Sequence, residues 1–303
     1  MNYLNLIRWK NLLIMGLAQI LIKYALFIPL KIEYTLNWFG FSLLVLSTLC
    51  IASAGNIIND IYDVETDLVN RPDKVLVGRA ISERKATNLF IIFNVIGVLI
   101  GFYLSHLVGR SSFFALFVII SALLYVYASY LKTTLLIGNI VVSILVALSL
   151  IIVPVFELLP AITPQNQIAQ INMFKVVFYY ATFAFIINLI REMIKDIQDI
   201  DGDHKSGMNT LPIIIGRERS RNIIFVLSFV PVLLLIYFLS KYLYNKTIAV
   251  LYFLLFVVGP LIFTTIKIFN AKTKKDFQLI SNTLKLIMLF GILSMLLYPI
   301  IIK

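Results

Sequence analysis

The 303-residue chain is 60% hydrophobic and only 14% charged, with a mean hydropathy of +0.95. A soluble globular chain is about half apolar and about a quarter charged, so these values exclude an ordinary soluble domain and predict an all-α, polytopic membrane protein. The net charge of +11 is spread over short connections between apolar runs, a pattern of membrane topology and lipid headgroup contact that implies no nucleic-acid partner.

The chain opens MNYLNLIRWKNLLIMGLAQILIKYALFIPL. This apolar stretch outruns the ~15 residues of a signal sequence and shows no small-x-small cleavage site, so it reads as a retained first span. Segments of about 20 mostly apolar residues then predict nine spans, at 11–31, 37–58, 86–107, 112–131, 134–155, 174–194, 221–241, 247–268 and 280–302. Pro231, Pro260 and Pro299 fall inside spans, where neighbouring helices can satisfy the freed carbonyls. Cys50, the single cysteine, sits in an apolar run and can form no intrachain disulfide. His106 reads as interfacial, and His204 lies in a polar stretch.

Charge bias sets the orientation. Arg8, Lys10, the basic residues of 71–85, Lys132, those of 195–221 and those of 272–275 share one side, against only Lys31, Arg110, Lys241, Lys246 and Lys303 on the other. The N-terminus is therefore expected in the cytoplasm and the C-terminus outside. The expected home is a bacterial plasma membrane.

The acids are not scattered. Twelve of the fifteen Asp and Glu residues fall within 60–83 and 192–218. The first segment carries Asp60, Asp63 and Asp67 and the second Asp196, Asp199 and Asp203, both at spacing i, i+3, i+7. On a helix such positions share about a 60° arc over ~10 Å, so each segment presents one carboxylate stripe wherever it stays helical. Gly202 and Gly207 weigh against helix at the end of the second. Four spans separate the segments, so both emerge on the same face. Six aligned carboxylates repel one another unless a counter-charge is present. Magnesium, with a few carboxylates and substrate phosphates as ligands, suits such a site, and Arg71, Lys74, Arg191, Lys195 and Lys205 are candidates for the outer phosphate oxygens. Glu65, Asp73, Glu83, Asp201 and Glu218 lie off the stripes and read as solvated or structural.

These residues carry a resemblance. The chain is similar over essentially its whole length to the UbiA-type intramembrane prenyltransferases, through Asn56, Asn59, Asp60, Asp63 and Asp67 followed by Asn70–Pro72, and through Asp196, Asp199 and Asp203 followed by GMNTLP. The phrases GNIINDIYDVETDLVNRPDK, LIREMIKDIQDIDGD and MNTLPIIIG resemble the geranylgeranylglycerol-phosphate geranylgeranyltransferase branch. So does ALLYVYASYLKTTLLIGN, which holds Tyr127, Lys132 and Asn139. The resemblance implies a single transmembrane domain over 1–303, with nine helices around a central cavity and cytoplasmic Asp-rich segments at 56–85 and 191–220. It also implies Mg²⁺ between the Asp motifs and the head of a polyprenyl diphosphate donor. Asp60, Asp63, Asp199 and Asp203 are then catalytic, and all six stripe carboxylates are metal ligands. Asn56, Asn59, Arg71, Lys74, Tyr127, Lys132, Arg191, Lys195 and Lys205 bind substrate. Membrane lipids and a lipophilic acceptor, a prenylglycerol phosphate, complete the partners. One departure bears on the acceptor: that branch continues after NRP with arginine and RPIPSG-like text, whereas this chain reads DKVLVGRAIS from Asp73 to Ser82.

Two other readings are open. An aromatic acceptor, a quinone or naphthoate precursor, would use the same diphosphate chemistry. A secondary transporter would also place ionisable residues at a binding site, but it favours acids near the midplane of broken helices, and here they gather at span ends.

Overall fold

The computed structural model describes residues 1–301. Lys303 and the end of the ninth predicted span, at 302, lie outside the described residues. Among those residues nine helices are long and apolar enough to cross a membrane: Trp9–Phe27, Trp38–Tyr62, Glu83–Leu107, Ser111–Ser129, Ile137–Ala161, Gln167–Lys205, Arg217–Leu243, Thr247–Asn270 and Lys274–Leu297. Each contains one of the spans expected from hydropathy or most of it. The all-α expectation holds, with one isolated bridge, Val77 to Ile81, as the described β pairing.

Pro231 and Pro260 sit where the backbone ladder is already relaxed. Pro231 lacks the N–H that would reach the Leu227 carbonyl, and the seventh span breaks into Arg217–Leu227 and Phe229–Phe238 at that point. Pro260 follows a π-helical turn over Leu254–Val258, which widens the ladder locally. Pro154 lies within helix Ile137–Glu157.

The chain folds as two compact units, Met1–Lys132 with Leu148–Phe178, and Thr133–Ala147 with the residues from Tyr179 onward. Lipid tails give little drive for helix association, so close backbone approach and interhelical hydrogen bonds must supply it. The first unit shows both. Helix Trp38–Tyr62 packs on Glu83–Leu107, where Gly97 and Gly101 form a G-x-x-x-G pair. A methyl group at Gly101 would lie 2.3 Å from the Phe117 ring, and one at Gly97 would lie 2.6 Å from Ile51. The Ser47 hydroxyl donates to the Gly97 carbonyl at 2.7 Å. Buried Gln19 donates to the Ser149 carbonyl at 2.7 Å.

The first unit also contains an ion pair that the sparse charge of the spans did not announce. Lys23 and Glu157, 2% and 0% exposed, meet at 2.7 Å. Lys23 also donates to the Leu36 carbonyl at 2.5 Å, and the Leu36 N–H donates to the second Glu157 oxygen at 2.9 Å. The ammonium lies over the rings of Tyr34 and Phe41, 4.3 and 4.6 Å from their centroids. Every formal charge of this pair is thereby met, the condition under which a buried pair is tolerated.

The second unit is built on large aliphatic and aromatic side chains. Ile187, Ile190, Ile194, Val257, Ile280 and Ile287 are among its buried members. Its own interhelical bonds include Tyr180 with Ser294 at 2.8 Å and Tyr252 to the Phe290 carbonyl at 2.8 Å.

Candidate active site

The first carboxylate segment begins in helix Trp38–Tyr62, which stops at Asp63, and resumes in the short helix Val64–Asn70. The i to i+4 bonds nevertheless continue, from the Asp63 N–H to Asn59 at 2.9 Å and from the Asp67 N–H to Asp63 at 2.8 Å. The stripe therefore follows a helical path with one kink, at its middle residue.

A cationic and amide shell surrounds it within the first unit. Arg8 donates to Asp60 at 2.6 Å, and Lys132 donates to Asp63 at 2.5 Å. Asn59 donates to the other Asp63 oxygen at 2.5 Å. Asn56 donates to the Ile7 carbonyl at 3.0 Å, which holds the residues around Arg8 against the second span. Burial works against the Arg8 charge, but the Asp60 carboxylate, with Asp63 and Tyr127 nearby, outweighs it and holds the guanidinium firmly protonated. Lys132 also lies 5.9 Å from the centroid of the Tyr62 ring. Tyr127, Asp67 and Arg71 are half-buried, and Lys74 is exposed. The loop that departs from the branch pattern packs inward through Val77 and Ile81, which join Leu6, Ile57 and Ala86 in one buried cluster.

The second segment needs no kink. Helix Gln167–Lys205 runs unbroken for 39 residues through Asp196, Asp199 and Asp203. Where the apolar pattern predicts a span ending near 194 and a loop from 195, the helix continues, because the carboxylate positions keep helical spacing. Gly202 does not interrupt it. Gly207 ends it in the left-handed region, at φ 68°. Its N–H bonds to His204 at 3.1 Å and the Met208 N–H to Asp203 at 3.0 Å, the paired C-terminal bonds that a glycine at this position makes cheap.

Asn139 donates to Asp196 at 2.8 Å. Its own carbonyl accepts from Ser143 at 2.6 Å, and Asn188 donates to the Ser143 hydroxyl at 3.2 Å. Arg191 and Lys195 both hold Glu192, at 2.8 and 2.9 Å. The Arg191 Nε is buried with no hydrogen-bond partner among the described residues. Asp203 is buried, whereas His204 and Lys205 are exposed. Asp201 is exposed and pairs with Lys274 at 2.8 Å and Arg217 at 3.4 Å, as an off-stripe structural carboxylate should. Glu65, Asp73, Glu83 and Glu218 are exposed as well.

The structure thus joins Asp60, Asp63, Asn59 and Lys132, and separately Asp196 and Asn139. It adds two residues that the motif reading passed over. Charge bias uses Arg8 only for topology, yet a basic residue just before the first span stands on the same face as the acids. Glu192 had no role, although its i, i+3 spacing to Lys195 announces a pair. No group of three His, Cys, Asp or Glu side chains arranged to hold a metal occurs among the described residues.

A model of the UbiA prenyltransferase family matches residues 21–288. The chain belongs to that family. Digeranylgeranylglyceryl phosphate synthase of Korarchaeum cryptofilum is 31% identical over 255 residues, which cover 82% of each chain. A solved structure from work on digeranylgeranylglyceryl phosphate synthase in membranes is 23% identical, with a TM-score of 0.63 and coverage of 99% of this chain and 98% of the other. The UbiA homolog of Archaeoglobus fulgidus bound to DMAPP and Mg²⁺ is 18% identical, with a TM-score of 0.58 over 97% of this chain and 99% of that one. The two structural likenesses establish a UbiA fold, and the family makes this chain an integral membrane prenyltransferase. The branch to which its sequence phrases point is that of the Korarchaeum relative.

Proposed function

We propose that this enzyme transfers a geranylgeranyl group from its diphosphate to a prenylglycerol phosphate. The observation that carries the reading is the end of the second span, where two carboxylates meet two side-chain cations, with side-chain amides alongside. The name of the Korarchaeum relative supports the acceptor, and the DMAPP and Mg²⁺ of the Archaeoglobus homolog support the donor class and the metal.

The donor set fits magnesium. Asp60, Asp63 and Asp67 in the first segment and Asp196, Asp199 and Asp203 in the second offer hard oxygens with no thiolate or imidazole among them, and each set would hold an ion through one or two carboxylates together with substrate phosphate oxygens. Bound there, the ion would neutralise diphosphate charge and improve the leaving group.

The chain's own groups do the rest. Lys132, Lys195 and Arg191 grip diphosphate oxygens and stabilise the charge that grows there. Asn56, Asn59, Arg71, Lys74, Tyr127 and Lys205 complete the substrate contacts. As the bond from the allylic carbon to the diphosphate oxygen breaks, positive charge develops on that carbon. The acceptor hydroxyl attacks it, an ether bond forms and the hydroxyl proton is lost. Apolar spans exclude the water that would otherwise trap the cation. In this proposal the whole of 1–303 acts as one catalytic domain. The excess of basic residues on one side supports a cytoplasmic N-terminus and cytoplasmic Asp segments. The relatives are archaeal and lend the bacterial assignment no support.

An acceptor panel tests the reading. Detergent-purified protein receives geranylgeranyl diphosphate and Mg²⁺ with geranylgeranylglycerol phosphate, 1,4-dihydroxy-2-naphthoate or 4-hydroxybenzoate, and products are read by mass spectrometry. A prenylated glycerol phosphate alone is expected. A prenylated aromatic alone would overturn the acceptor while leaving the diphosphate chemistry in place.

A further inference from the structure

The carboxylates of the first segment meet counter-charges supplied by the chain itself. Arg8 closes on Asp60 at 2.6 Å and Lys132 on Asp63 at 2.5 Å. The carboxylates are each 20% exposed, Lys132 is 11% exposed and Arg8 37%, so solvent and salt screen the Lys132 bond only in part and the Arg8 bond more. Both cations are anchored. Ile7, next to Arg8, is tied to Asn56, and Lys132 is the middle residue of the 3-10 turn Leu131–Thr133 that follows the fourth span.

A divalent cation arriving alone must therefore displace two tethered cations. Displaced, they would lose these charge-assisted bonds and face the like charge of the ion. A diphosphate arriving with the ion changes that balance, because its oxygens can receive Arg8 and Lys132 as the carboxylates turn to the metal.

We infer that Arg8 and Lys132 are exchangeable counter-ions that weaken free-metal binding at Asp60 and Asp63 and couple it to diphosphate binding. The inference rests on the reading of this segment as a metal–diphosphate site. It gives Arg8, which no motif marked, a substrate-binding role.

The test is a Mn²⁺ titration of the full-length protein in detergent, followed by electron paramagnetic resonance, with no diphosphate present. Arg8→Gln is expected to bind Mn²⁺ on the order of tenfold more tightly than wild type, since one competing charge-assisted bond is removed. In the presence of Mg²⁺ the same variant is expected to bind geranylgeranyl diphosphate about tenfold more weakly. Arg8→Lys should stay near wild type in both measurements. The opposite signs separate exchange from mere loss of structure, which would weaken both. Unchanged or weakened Mn²⁺ affinity in Arg8→Gln overturns the inference. If that variant does not fold, Lys132→Gln reports the same exchange at Asp63 with the same two expected signs. Wild-type protein that binds no Mn²⁺ with or without diphosphate would instead remove the metal reading of the segment itself.

Discussion

The two carboxylate segments share a spacing and differ in what meets them. In the first, Asp60 and Asp63 are held by the full charges of Arg8 and Lys132, which come from distant parts of the chain. In the second, Asp196 accepts from the neutral amide of Asn139, and Arg191 and Lys195 hold the neighbouring Glu192. The backbones differ too, one kinked at Asp63 and the other unbroken to Lys205. Equal spacing in sequence thus fixes which side chains share a face, not the electrostatic state in which they wait.

The largest expected effect would show whether both segments serve one reaction. Asp60→Ala and Asp199→Ala should each lower turnover by at least about 10³-fold, the scale of losing a group that stabilises the departing charge. Size-exclusion profiles in detergent should stay normal. Near-wild-type turnover in one of them would confine the chemistry to the other segment. Exhaustive chelation should abolish turnover, and Mg²⁺ should restore it; full activity in chelator would remove the ion from both segments.

Lys132→Met sharpens the contrast. It takes the cation from Asp63 and from the proposed diphosphate grip, and should cost on the order of 10²-fold in kcat/KM. Asn139→Ala removes a neutral donor from Asp196, a loss of about 1–3 kcal/mol for a buried group left unsatisfied. Its effect on kcat/KM should be smaller than that of Lys132→Met, and the reverse order would contradict the assignment of the stronger electrostatics to the first segment. Gly207→Ala should be the mildest. Its backbone stays left-handed, at a cost of about 1–2 kcal/mol, and nothing crowds the new methyl group. A small fall in melting temperature in detergent, with turnover retained, is expected.

Much of this was legible in the sequence. The spans stand out because about 20 apolar residues in a row have few uses other than crossing a bilayer, and the Asp stripes because period and charge coincide. What stayed hidden depended on partners far along the chain. Arg8 looks like any basic residue before a first span until the fold brings it to Asp60, 52 positions away. The run-on of the sixth span past 194 was hidden by polarity, since a hydropathy reading ends where carboxylates begin even when the backbone does not. Lys23 falls in the first expected span but Glu157 lies two residues past the fifth, which was expected to end at 155; the helix runs on to Glu157, and only the fold joins two charges that are each costly alone.

That buried pair also bears on how the protein is made. Lys23 and Glu157 lie 134 positions apart, so during synthesis the first span enters the membrane long before its acidic partner exists. At about 5–20 residues per second, the lysine waits for several seconds to tens of seconds. A lone lysine costs roughly 2.5–3.5 kcal/mol to insert at the centre of a helix and less toward an end, and Lys23 stands four residues before the end of its span at Phe27. Until the fifth span arrives, the first is held in place by its remaining apolar residues and by whatever water or polar group its ammonium can still reach. The pairing then acts as a late latch: the segment delivered first becomes fully at home in lipid only once half the chain has followed it.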